Sequence, residues 1–184
     1  KMLENLNVVP DFNYIDKDFF KLDYIHHAMM NLDFYLIRNT TGEYISRNCG
    51  FRQQDKVPEL WDPVSGKIVP VSVYNQDDYY ITIPISLAPY ESTFVVFRAG
   101  DTEDHFTTIE GNNQHPPYLS FLKEGICIWE DGVFDLKRKS NSEVVNNNID
   151  VMPLEGAWEI YFNEKWGAPE RVVFPELQSW TESE

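Results

Sequence analysis

Thirty Asp and Glu, four His and two Cys are the side chains of this 184-residue sequence best able to hold a metal or move a proton, so their spacing is decisive. Asp101, Glu103, Asp104 and Glu110 suggest a calcium loop. Counted from Asp101, however, Phe106 stands where the sharp-turn glycine belongs and Asn112 where the bidentate Glu belongs, so the EF-hand pattern fails. His26 and His27 are adjacent in a β-prone run, where successive side chains point to opposite faces and do not grip one ion. His105 and His115 have neither a Cys nor a second His at ligand spacing. No Gly-x-Ser-x-Gly elbow marks a nucleophile, and none of the nine glycines builds a phosphate cradle. Paired acids for glycoside cleavage cannot be singled out among thirty carboxylates. No metal, cofactor or catalytic residue follows from these patterns.

Aromatic platforms are the remaining chemistry. Exposed Trp rings stack on the apolar faces of sugars, and Trp129, Trp166 and Trp180 lie near turns or loop-like segments. These three are the candidate carbohydrate-binding residues, against the plainer reading that they fill a core or pack on a neighbouring domain. Trp61, inside a strand pattern, reads as core. Asn39-Thr40-Thr41 matches the acceptor motif for N-glycosylation. Cys49 and Cys127 are far apart and read as free thiols.

The elements that would position these residues are strands. Val and Ile are frequent, Ala is scarce, and no window carries a capped i, i+3, i+4, i+7 stripe. β-prone runs cover 22–26, 32–38, 44–51, 57–61, 67–73, 79–87 and 92–98. In the run 79–87, Ile81, Ile83, Ile85 and Leu87 share one face, and Pro84 places the strand at an edge or beside a bulge. Residues 1–98 therefore read as an antiparallel β-sandwich. Residues 99–117, rich in Gly, Asn, Pro and acids, read as an acidic linker. A second, smaller β region follows over 118–184, with Glu130-Asp131-Gly132 as a hairpin turn joining the runs 126–129 and 133–137. Runs at 143–151, 158–162 and 171–174 continue it, and so few strands make an incomplete unit.

Composition bounds the partners. The formal charge of -15 repels phosphate backbones and anionic bilayers, so neither nucleic acid nor a membrane surface is expected as a partner. The chain lacks the ~20 consecutive apolar residues of a spanning helix, and its start lacks the apolar core of a signal peptide, so a soluble chain is expected and its compartment stays open. At 184 residues it falls short of the ~250 of a (β/α)₈ barrel.

Several segments carry a family resemblance. Val9-Pro10-Asp11-Phe12, Leu22-Asp23-Tyr24-Ile25-His26 and Asp33-Phe34-Tyr35-Leu36-Ile37-Arg38-Asn39 resemble the stretch after the catalytic barrel in glycoside hydrolase family 106, the α-L-rhamnosidase-type enzymes. His27 stands where that family's Ile-His-Arg-Arg step has its first arginine. Pro58-Glu59-Leu60-Trp61-Asp62-Pro63-Val64-Ser65-Gly66 resembles the family's Pro-Glu-Leu-Trp-Asp-Pro-x-Thr-Gly turn, and Leu87-Ala88-Pro89-Tyr90-Glu91-Ser92-Thr93-Phe94-Val95-Val96-Phe97 its closing strand. Leu154 to Phe162, Trp166 to Glu170 and Leu177 to Thr181 are similar to the beginning of a galactose-binding-like jelly roll.

The resemblance implies a noncatalytic accessory β-sandwich of a rhamnosidase-like glycoside hydrolase, partnered by the catalytic barrel or a neighbouring domain of the same parent protein, in a periplasmic or secreted setting. Two alternatives stay open beside it: a free-standing carbohydrate-binding module that takes oligosaccharide on its Trp platforms, and a β-sandwich protein-interaction domain.

Overall fold

The computed structural model describes residues 8–14, 21–100, 104–113, 115–177 and 179. The fold is all-β, its sheets are antiparallel, and no α-helix occurs among the described residues. The chain divides into two compact units, Lys1–Ile149 and Asp150–Glu184.

The first unit begins as a sandwich. Its strands are β1 (Phe12–Tyr14), β2 (Leu22–Ala28), β3 (Leu32–Asn39), β4 (Ile45–Phe51), β5 (Val57–Trp61), β6 (Ile68–Pro70), β7 (Asn75–Gln76), β8 (Ile81–Leu87) and β9 (Ser92–Arg98). One sheet runs in the order β1-β4-β8-β7 and the other β2-β3-β9-β5-β6. The period-2 alternation read from the sequence sets the packing. Ile81, Ile83, Ile85 and Leu87 are all buried in the core, where Tyr35, Phe51 and Phe97 meet between the sheets. The Tyr35 ring lies edge-on to Phe51 at 4.9 Å and to Phe97 at 5.8 Å, a favourable aromatic geometry. Pro84 pairs with Asn48 of β4, while β7 reaches only Thr82 and Ile81. Among the described residues no strand pairs with its other flank, the situation in which a residue without an N–H is tolerated.

The turns are chemically specified. Between β5 and β6, the Asp62 carboxylate accepts from the Val64 amide at 2.8 Å and from the Ser65 hydroxyl, and Gly66 takes φ 70°. The Ser65 hydroxyl and the Val64 amide hold the Asp62 carboxyl below its ordinary range. Between β8 and β9, Tyr90 sits at φ 59° while the Glu91 carboxylate caps the Ala88 amide at 2.6 Å.

The stretch expected to be a linker is built into the same unit. Phe106 forms a parallel bridge with Val73, and Ile109 of β10 (Thr108–Glu110) is buried. The following strands are β11 (Leu119–Leu122), β12 (Gly125–Ile128), β13 (Gly132–Lys137) and β14 (Ser142–Asn147). Leu119, Phe121, Phe134 and Leu136 join the sandwich residues in one hydrophobic core. Polar contacts reinforce the junction: Ser46 Oγ donates to the Pro117 carbonyl at 3.0 Å, and the Leu119 amide donates to Ser86 Oγ at 2.9 Å. The composition of 99–117 obscures this because its few apolar residues fall where the strands need them. The Asp131-Gly132 hairpin expectation also needs correction. β12 turns back on β11 through Lys123 and Glu124, and β13 lies instead between β10 and β14.

The second unit pairs β15 (Trp158–Tyr161) with β16 (Arg171–Phe174). A 3-10 turn, Glu164–Trp166, lies between them, opened by the Asn163 side chain on the Lys165 amide and closed by Gly167 at φ 72°. Arg171 and Tyr161 both reach the Glu159 carboxylate. Two paired strands bury little apolar surface, and Phe174 is the buried hydrophobic residue of this unit among the described ones.

Candidate functional site

The expected Trp platforms fall in different places. Trp129 follows β12 in the first unit, is 61% exposed, and donates its indole N–H to Ser120 Oγ at 2.8 Å. Trp166 lies on the 3-10 turn of the second unit and is 73% exposed. Trp180 lies outside the described residues. Trp129 and Trp166 thus each present an open ring, the property that sugar stacking requires.

Trp61 differs from its expectation. It is half-buried on the outer face of the five-stranded sheet, and its indole N–H donates to Glu59 at 2.9 Å. Arg98 donates to the same Glu59 oxygen at 2.7 Å and lies over the Trp61 ring at 5.7 Å from the centroid. Strand parity explains the placement: Trp61 and Glu59 share one face of β5, opposite to the core-facing Pro58 and Leu60.

The glycosylation motif is also decided by packing. Asn39 is fully buried, and its amide donates to the carbonyls of Glu43 at 2.7 Å and Ala88 at 2.8 Å. Its Oδ1 accepts from the amide and the hydroxyl of Thr41, each at 2.9 Å. A side chain so enclosed is not an acceptor for a glycan on the folded protein.

One charged constellation escaped the sequence reading. His26 places Nδ1 2.8 Å from Asp11 and Nε2 3.0 Å from Asp33, and its ring stacks on Tyr35 at 4.0 Å. Only an imidazolium, with both nitrogens protonated, donates to both carboxylates. Lys56 pairs with the other Asp33 oxygen and donates to Gln53 at 2.9 Å, while Gln53 donates to the Tyr35 hydroxyl at 3.1 Å. Arg52 approaches Asp11 at 3.3 Å. Burial works to raise the Asp33 pKa, but the hydrogen bonds and charges of Lys56 and His26 outweigh it and hold the carboxyl below its ordinary range. The same burial pushes the Tyr35 phenol up. Every oxygen of Asp11 and Asp33 has a partner, so the constellation braces β1 to β2, β3 and the segment after β4. The available signal was the β2-β3 register, which sets His26 opposite Tyr35, two residues from Asp33.

A cleft of about 850 Å³ opens elsewhere in the first unit. One wall is the outer side of β5 and β6, with Val57, Glu59, Ile68 and Pro70; the other is formed by the β11-β12 turn, Phe106 and Arg138. Two of its three acids are neutralised locally, Glu59 by Arg98 and Asp104 by Arg138 at 3.1 Å, and the third, Glu124, is exposed on the β11-β12 turn. Arg138 stacks over Phe106 at 3.7 Å, and the Tyr74 and His105 rings stack at 3.7 Å. Among the described residues Glu124 is the one acid of the cleft and the His26 constellation without an ion pair, so no two free acids face each other there in the arrangement that glycoside hydrolysis uses.

The comparisons with known proteins agree with the resemblance read from the motifs. Residues 1–76 match the sequence model of glycoside hydrolase family 106, alpha-L-rhamnosidase. The matched stretch is thus similar to part of the rhamnosidase-type glycoside hydrolases. A protein of Formosa agariphila described as "Putative beta-glucuronidase" is 28% identical over 157 residues, which cover 81% of this chain. The structure of a rhamnosidase from Novosphingobium sp. PP1Y superposes with a TM-score of 0.66 at 24% identity over 99% of this chain, a likeness of fold. The chain spans 14% of the length of each of these two proteins.

Proposed function

We propose that this rhamnosidase-related chain is a noncatalytic β-sandwich portion of a glycoside hydrolase, packing against a catalytic barrel and shaping the approach of the sugar. The observation that supports the reading is the state of its acids: in the His26 constellation and on the β5 side of the cleft the carboxylates are held by Arg, Lys or His. This leaves the exposed Glu124 of the β11-β12 turn as the single cleft acid without an ion pair among the described residues, with no second free acid beside it. Carboxylates so paired are poor general acids, because a neighbouring cation holds the proton off. A periplasmic or secreted setting accompanies this reading, to be checked by cell fractionation. The direct test assays the 184-residue chain on aryl rhamnosides and glucuronides. No turnover is expected. Turnover abolished by replacing one acid of this chain would overturn the proposal.

The exposure of Trp129 and Trp166 favours a second reading, oligosaccharide binding on indole platforms. Tryptophan fluorescence titrated with plant-type oligosaccharides checks it. A saturable change lost in Trp129→Ala or Trp166→Ala supports binding, and a flat trace rejects it. The third alternative, a protein-interaction domain, is met in the narrower form developed next.

A further inference from the structure

The sheet β2-β3-β9-β5-β6 has two apolar faces, where an antiparallel sheet facing water on one side normally has one. Its inner face carries Tyr35, Ile37, Val95 and Phe97, all buried in the sandwich. On the outer face the register aligns Ile25, Leu36, Phe94, Trp61 and Ile68 in one row across all five strands. The adjacent row is His27, Phe34, Val96, Glu59 and Pro70. Glu59, the acid in these two rows, is already closed by Arg98 and Trp61. Further charges stand at the rim, where Asp23 and Arg38 pair across β2 and β3 and are both exposed. An apolar centre with a polar rim is the anatomy of a protein interface. The face is open toward its two edge strands, where Ile25 of β2 is 57% exposed and Ile68 of β6 50%, and it is half-buried between them at Leu36, Phe94 and Trp61, with Val96 of the middle strand buried.

We infer that this outer face, continuous through β5 and β6 with the 850 Å³ cleft, docks an apolar polypeptide surface from another portion of the same glycoside hydrolase. The inference rests on the accessory reading above and names the surface through which that role is exerted. Three observations select the occupant. The two proteins that this chain matches carry the corresponding stretch as 14% of their length, so in them a much larger body of chain is covalently at hand. Attachment in the same chain raises the effective concentration, so an apolar face too small to hold a free partner can still dock. A second copy is disfavoured because each would bring a charge of -15. Sugar is disfavoured because the two rows offer almost no hydrogen-bonding groups to meet its hydroxyls.

The test uses thiol labelling of Ile25→Cys and Ile68→Cys, each in a Cys127→Ser background, with Val64→Cys as a reference outside these rows. Val64 is 94% exposed, and Cys49 is buried. Maleimide labelling rates are measured in the 184-residue chain and in the intact polypeptide encoded by its gene. At positions 25 and 68 the thiols should react quickly in the short chain and at least tenfold more slowly in the intact polypeptide, while position 64 reacts alike in both. Equal rates at 25 and 68 in the two proteins would overturn the inference. So would protection that grows with the concentration of the short chain, which means a second copy, or a gene product with no further portion to dock. Rhamnosidase activity of the intact polypeptide is measured in parallel. Protected thiols in an inactive protein sink the glycoside hydrolase reading alone, and reactive thiols in an active one sink the docking face alone.

Discussion

Asn39 and Asp33 show how individual polar side chains hold this sandwich together. Asn39 donates to two part-buried carbonyls, that of Glu43 in the β3-β4 loop and that of Ala88 in the β8-β9 turn. Asn39→Ala strands both, and each unsatisfied buried group costs ~1 to 3 kcal/mol. A loss of about 2 to 4 kcal/mol in a urea titration is therefore expected. An effect near zero would mean that water replaces the amide. At Asp33 the folded carboxyl titrates below the ordinary value of 3.8, so between those two values the unfolded chain binds more protons than the folded one. Its contribution is complete above the ordinary value and is lost as pH falls through the folded one. Urea midpoints measured downward from pH 5 should fall in the parent and fall less steeply in Asp33→Asn. Parallel curves would remove Asp33 from the acid limb. The groups that face it, His26, Lys56 and, through His26, Asp11, form the brace that this titration loosens.

At the scale of elements, the two motifs most specific to the family resemblance turn out to be turns. Pro58 to Gly66 carries β5 into β6, and Leu87 to Phe97 carries β8 of one sheet into β9 of the other. Turn chemistry of this kind is local, which is why it was legible from residue order. Gly66 occupies φ 70° with open space where a Cβ would stand, so Gly66→Ala should cost only the backbone term, about 1 kcal/mol, with no packing penalty. A loss of several kcal/mol would point to a contact that the turn lacks. The strand runs were similarly legible: 57–61, 92–98 and 171–174 coincide with β5, β9 and β16. The expected run 67–73 shortens to Ile68–Pro70 because β6 pairs with only three residues of β5. The pairing of β12 was misjudged because Asp131-Gly132 is a good turn sequence, and no local signal distinguishes it from the closer turn at Lys123-Glu124.

Across the whole molecule, the question is where cooperative structure ends. Leu119, Phe121, Phe134 and Leu136 share the sandwich core, so residues 1–149 should unfold as one transition and residues 1–98 alone should not fold stably. Truncated chains followed by circular dichroism and urea titration check this. A stable, cooperative 1–98 would restore an independent first domain. Limited proteolysis should cut first between Ile149 and Trp158, where no strand is formed and Val151, Met152 and Leu154 are exposed.

The sequence by itself determined the class of the fold, because alternation of period 2 and turn residues act over a few neighbours and need no distant partner. It also established the -15 charge that disfavours polyanionic partners. Tertiary structure alone decided which side of β5 Trp61 occupies, that Asn39 is enclosed, and that Asp11, His26, Asp33 and Lys56 converge. It likewise decided that Ile109 and Phe106 tie the stretch 104–113 to the core of the first unit and that one sheet is apolar on both faces. These outcomes depend on which strands become neighbours, and such pairings join residues tens of positions apart through register and burial that no local window of sequence contains.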